Sequence, residues 1–224
     1  MDLRAELEKI LLNVGPENIW RPVYDSQNVL LANGIADMRD GRPQDMSKVD
    51  FRGKTVLDLG CNFGFYSFLA KRLGARKVVG VDKDGQVIRG CELLKAMHGV
   101  RDVHFYSGDF TTSSIPGTFD IVMLINFLGK VMVTEGIQKS LDAAEGLCLS
   151  TMIISARPYY RISKHLGGNA ENITKHYPSV YVKDGRFYLI EFLHDFFCDR
   201  WDMSVISPDY DDHDVKRTLL FVRK

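Results

Sequence analysis

The sequence predicts an α/β domain built on a mostly parallel, doubly wound sheet that ends in an antiparallel hairpin. Three observations carry that expectation. From Lys54 onward, short apolar runs alternate with stretches of helical period. The first run, Thr55-Val56-Leu57-Asp58-Leu59, is bounded by Gly53 and Gly60, the form of a strand buried on both faces. The alternation then breaks in the last third, where two strand-like runs close the chain. Regular β-α-β alternation implies helices over both faces of a parallel sheet.

Taken in order, Leu3, Leu7, Ile10 and Leu11 have helical spacing, and Gly15-Pro16 closes that segment. A second periodic stretch, Val29, Leu30, Ile35 and Met38, runs into Asp40-Gly41-Arg42-Pro43, so residues 1–50 read as a helical extension or lid ahead of a domain at 51–224. Within that domain helices are expected at 65–73, 86–98 and 135–145, and strands at 77–81, 103–106, 119–125 and 147–155. Asp184-Gly185, between Val180-Tyr181-Val182 and Phe187-Tyr188-Leu189, is a hairpin turn signal. A helix at about 190–201 and strands at 203–207 and 218–222 complete the chain.

Composition narrows the class. Lys and Arg number 29 and Asp and Glu number 29, so the long-range field that would gather a polyanion is missing. Cys61, Cys91, Cys148 and Cys198 form no C-x-x-C pair and have no His at metal-ligand spacing, which predicts reduced thiols and no metal site. The acidic residues among the first eight exclude a signal peptide there, and no apolar run is long enough to span a bilayer. A cytoplasmic protein is expected.

The chemistry concentrates in Val56–Ser67, a strand, a tight glycine turn and a helix start. Open α/β sheets bind ligands beyond the carboxyl ends of their strands, and Gly60 and Gly64 let ligand atoms approach the backbone. Some 22 residues after Gly60, the run Val78-Val79-Gly80-Val81-Asp82 ends a second strand with a carboxylate, where an acid accepts hydrogen bonds from both hydroxyls of a ribose.

The pattern Asp58-x-Gly60-x-Asn62-x-Gly64 followed by Asp82 resembles motifs I and II of the class I S-adenosylmethionine-dependent methyltransferases. That resemblance implies a Rossmann-like fold with S-adenosylmethionine as cofactor and S-adenosylhomocysteine as product. It implies that Asp58 holds the cationic amino end of the cofactor, which also argues against a pyrophosphate there. Asn62 replaces the family's middle glycine, a change that a left-handed backbone accommodates. By the same resemblance Lys83 follows the ribose acid, Asp109 and Phe110 meet the adenine, and Asn126 lines the methionine end. Gly60–Ser67 is similar, more narrowly, to the bacterial tRNA wobble-uridine methyl and carboxymethyl transferases.

The methyl acceptor stays open. Tyr24 and Gln27, in the extension, and Arg157, Tyr160 and His165, after the fifth strand, are the candidate acceptor contacts. No catalytic base is assigned, and Asp211-Asp212-His213-Asp214 reads as a solvated loop rather than a metal site. A small-molecule acceptor leads, a tRNA acceptor is favoured by Arg157, Arg161 and Lys164, and a non-catalytic scaffold is disfavoured by the intact acids. Oligomeric state is left open.

Overall fold

A computed structural model describes residues 2–35, 41–168 and 170–224, with the backbone alone at Lys130 and Ala170. The chain divides into two compact units, residues 1–119 and 120–224. The α/β class is as expected: seven strands belong to one mostly parallel sheet.

In the first unit, helix α1 (Leu3–Val14) starts at Asp2, whose carboxylate accepts from the Arg4 and Ala5 N–H groups. It buries Leu7, Ile10, Leu11 and Val14 and stops at Gly15, φ +82°. The described part of the second periodic stretch, residues 29–35, is not a helix. Val23–Tyr24 (β1) and Leu30–Ala32 (β2) pair antiparallel across a tight turn. There the Asp25 carboxylate accepts from the backbone N–H groups of Gln27 and Val29, and Asn28 is left-handed at φ +61°. Local side-chain bonds of this kind compete with helix formation. Val29, Leu30 and Ile35 stay exposed, and Met38 lies outside the described residues. A short helix, α2 (Arg42–Met46), precedes the sheet.

Strands β3 (Thr55–Leu59), β4 (Lys77–Asp82) and β5 (Val103–Ser107) run parallel, with Leu59 level with Val81 and Asp82 level with Ser107. Helices α3 (Phe65–Arg72) and α4 (Gly85–Met97) connect them, and Asp84 caps α4 by accepting from the Gln86 and Val87 N–H groups. The carboxyl ends of β3 and β4 therefore finish side by side, and both crossover turns start there.

The second unit begins with the remainder of β6 (Phe119–Leu124), followed by α5 (Leu128–Thr134), α6 (Gln138–Leu147) and β7 (Cys148–Ala156). Residues 158–178 hold β8 (Tyr160–Arg161), α7 (Ile162–His165) and α8 (Ala170–His176). The hairpin forms as β9 (Val182–Lys183) and β10 (Arg186–Phe187), with Asp184 and Gly185 both at positive φ, the form of a two-residue primed turn. Strand β8 pairs with β10 on its other side, Tyr160 facing Phe187. Helix α9 (Leu189–Phe197) buries Leu189, Phe192, Leu193 and Phe197 on one face. Strand β12 (Arg217–Arg223) then pairs antiparallel with both β7 and β11 (Trp201–Val205), the expected closing hairpin. No described helix is long and apolar enough to cross a membrane.

Candidate functional site

The turn after β3 is built by backbone. The Val81 carbonyl accepts from the N–H groups of Gly60 (2.8 Å) and Cys61 (3.0 Å), which ties the turn to the end of β4. Gly60, Asn62 and Gly64 all take left-handed conformations, φ +73°, +47° and +74°. Gly64 is needed on a second count, because a Cβ there would sit 2.9 Å from Phe105 Cζ. Asn62, the departure from the family glycine, adopts the positive φ that asparagine tolerates best.

Two acids flank this turn. Asp82, half-buried at the end of β4, accepts from the Asn62 N–H at Oδ2 (2.9 Å) and the Asp84 N–H at Oδ1 (3.1 Å). Each carboxylate oxygen has a second lone pair, so these bonds leave acceptor capacity for ligand hydroxyls. Asp58 is 2% exposed and accepts from the Ser67 hydroxyl at 2.6 Å. Burial pushes its carboxyl up to about 7; the Ser67 hydroxyl opposes that rise and the nearby Asp82 charge adds to it. A buried carboxylate that resists ionisation fits a cationic ligand group, which would stabilise its charge.

Asp109, just past β5, uses Oδ1 to accept from the Thr111 N–H (2.9 Å) and hydroxyl (2.7 Å). The Thr111 hydroxyl, then its N–H, hold the Asp109 carboxyl below the usual carboxylate range. The acid thus caps its own turn, with Phe110 buried beside it and Lys83 exposed. Tyr24 and Gln27 both belong to the β1–β2 ribbon, Tyr24 on β1 and Gln27 in the turn, and both are exposed.

In the second unit, Asn126 follows β6 at φ +63°, donates its N–H to Ser155 Oγ (2.8 Å) and accepts from Lys216 Nζ at Oδ1 (2.7 Å). The three candidate acceptor contacts there, Arg157, Tyr160 and His165, each meet neighbouring groups of the same unit. Tyr160 is 2% exposed, with the Arg157 guanidinium 5.3 Å above its ring, and Arg157 Nε donates to the Asp214 carbonyl (2.9 Å). His165 Nδ1 accepts from the Arg161 N–H (3.0 Å), which leaves the neutral ring's proton on Nε2, 3.3 Å from Asp214 Oδ1. Burial, then the positive charge of Arg157, lower the His165 pKa. His165 is thus oriented through Nδ1 by the Arg161 backbone, with Nε2 turned toward Asp214. The half-buried aromatic surface in this region is Tyr159, whose ring lies 5.7 Å from Tyr188 and 5.4 Å from His213, under the Arg186 guanidinium at 4.7 Å.

Sequence reasoning assigned no role to Ser67, and it offered Tyr159 only as one aromatic of the 157–165 segment, not as part of this cluster. Ser67 was detectable in principle, as a small hydroxyl in the first turn of a helix that starts at the candidate ligand-binding turn. The cluster was not, because it depends on the β8–β10 pairing.

The fold and this turn define a Rossmann-like protein with its candidate site at the strand ends. A profile of the methyltransferase domain matches residues 50–190, and the chain belongs to that family. Over 91 residues it is 37% identical to the ribosomal protein L11 methyltransferase of Vibrio cholerae, a match covering 37% of this chain and 31% of that protein. Over 147 residues it is 29% identical to the protein of the same name from Tolumonas auensis, covering 62% and 50%. The matched part thus spans half or less of these curated relatives. Among solved structures, the N-terminal domain of EvdMO1, crystallised in the presence of S-adenosylhomocysteine and D-fucose, superposes with a TM-score of 0.65 at 19% identity, covering 100% of this chain and 98% of that one. Magnesium protoporphyrin IX methyltransferase from Synechocystis PCC 6803 with bound S-adenosylhomocysteine superposes with a TM-score of 0.56 at 19% identity, covering 86% and 90%. At these identities the two structures establish a shared fold.

Proposed function

We propose that the chain transfers a methyl group from S-adenosylmethionine to a small-molecule acceptor. The observation that carries this reading is the pair of acids at the ends of β3 and β4, one buried and one half-buried, on either side of a left-handed glycine turn. S-adenosylmethionine supplies a methyl group on a positively charged sulfur, ready for in-line displacement. The protein's share is to bind and orient. Asp58, ionised when paired with the cofactor's amino group, fixes the methionine end. Asp82 accepts from the ribose hydroxyls while its bond to the Asn62 N–H holds the turn in place. Phe110 offers an apolar surface to the adenine. Asp109 adds a carboxylate, and Lys83 completes the proposed contacts of this unit.

A small acceptor is supported by the zero formal net charge, which offers no field for a polyanion. A protein acceptor has its own support in the printed name of the curated relatives, ribosomal protein L11 methyltransferase. Tritiated S-adenosylmethionine incubated with the protein and a cell extract, then separated into small-molecule, RNA and protein fractions, decides among these. Label in the small-molecule fraction is the expected result. Label confined to protein, or to RNA with an activity that falls steeply as salt rises, would replace that acceptor class.

A further inference from the structure

Asn62 does more than tolerate a left-handed turn. Its side-chain amide bridges two residues of the N-terminal segment: Oδ1 accepts from the Trp20 N–H (3.1 Å) and Nδ2 donates to the Asn18 carbonyl (2.9 Å). A paired donor and acceptor facing a peptide backbone is what a neighbouring strand would supply. Glycine at this place would take φ +47° at less cost but could make neither bond, and aspartate could make only the first.

The backbone of the same residue is held by the site itself. Its N–H donates to Asp82 Oδ2 (2.9 Å), and its carbonyl accepts from the buried Cys91 thiol (3.0 Å). One residue thus joins the acid expected at the ribose to the segment 18–20. That segment has further anchors: Ile19 is buried, its carbonyl accepts from the Ile35 N–H (2.9 Å), and Arg21 donates to the Tyr66 hydroxyl on the first turn of α3 (2.5 Å).

We infer that Asn62 is a positioning residue that links cofactor binding to docking of the N-terminal segment. A ligand that engages Asp82 orders the turn, the ordered turn presents the Asn62 amide, and the amide secures residues 18–20. By reciprocity, the docked segment must strengthen the cofactor site by the same factor. The inference rests on the cofactor reading above.

The test uses Asn62→Gly, which keeps the left-handed turn and removes only the amide. Two net hydrogen bonds correspond to roughly a tenfold weakening of S-adenosylhomocysteine binding if they form fully on cofactor binding. Hydrogen exchange is the second readout. In the wild type, S-adenosylhomocysteine should slow exchange of the Trp20 amide, and in Asn62→Gly that slowing should vanish. Trp20 is 39% exposed and the other tryptophan, Trp201, is 1% exposed, so a ligand-induced fluorescence change should follow the same pattern. If the wild type binds the ligand without slowing Trp20, or the variant binds as tightly as wild type, the inference is overturned and the cofactor reading stands. If the wild type binds no S-adenosylhomocysteine, the cofactor reading falls and the inference falls with it.

Discussion

Asp82→Ala should weaken S-adenosylhomocysteine binding by about 2 to 4 kcal/mol, the scale for losing charged hydrogen bonds to two hydroxyls in a shielded site. The loss has two sources in the geometry. One is the carboxylate offered to the ribose, and the other is the bond from the Asn62 N–H to Asp82 Oδ2 that holds the turn. Asp82→Asn separates them, because one amide oxygen still accepts from Asn62 while the negative charge is gone. Asn should therefore fall between wild type and Ala. The domain should remain folded in both, since Asp82 is half-buried and outside the apolar core. Isothermal calorimetry with circular dichroism as the folding control checks this, and a folded alanine variant with unchanged affinity removes Asp82 from the ribose.

Asp58→Asn should stabilise the ligand-free protein at pH 8 and cost it cofactor affinity. The sign follows from the carboxyl's rise from 3.8 to about 7, caused first by burial. A folded state that holds its proton more tightly than the unfolded chain is favoured by that proton below the unfolded pKa. The advantage is lost as pH rises through the folded pKa. The loss is complete above about pH 8 and amounts to roughly 4 kcal/mol at most. Asparagine keeps an acceptor for the Ser67 hydroxyl and never ionises. The variant should therefore melt higher than wild type at pH 8, and the difference should shrink toward zero at pH 4. Ligand binding runs the other way. An amino cation favours ionised Asp58, so wild-type affinity should rise from pH 6 to pH 8 with release of a proton, and the variant should bind more weakly without that rise. Calorimetry in buffers of different ionisation enthalpy reads the proton directly. No proton release at pH 7 would mean that the cation does not reach Asp58.

Much of the fold was legible because parallel strands buried on both faces leave short apolar runs, and β3, β4, β6 and β7 each have one. The β1–β2 ribbon was hidden under a helix-like spacing, since its turn depends on one carboxylate, Asp25, that satisfies backbone N–H groups locally. The elements β8 and α7 span only two and four residues, and β8 pairs with β10, some 26 positions away, so no local period announces them. The same split runs through the candidate site. Asp58, Gly60, Gly64 and Asp82 could be read because their places follow from where a strand ends and a turn begins. The inward packing of Tyr160 and His165, and the use of the Asn62 amide on residues 18 and 20, depend on partners that approach only in the folded chain.

The central claim, that the Asp58–Asp82 turn is an S-adenosyl cofactor site, is tested most directly by calorimetric titration of the purified wild-type protein at pH 8 with S-adenosylhomocysteine and, separately, with NAD. Saturable micromolar binding of S-adenosylhomocysteine with no heat from NAD is the predicted result, because Asp58 attracts an amino cation and repels a pyrophosphate. Comparable NAD binding, or no binding of S-adenosylhomocysteine at millimolar concentration, would contradict it.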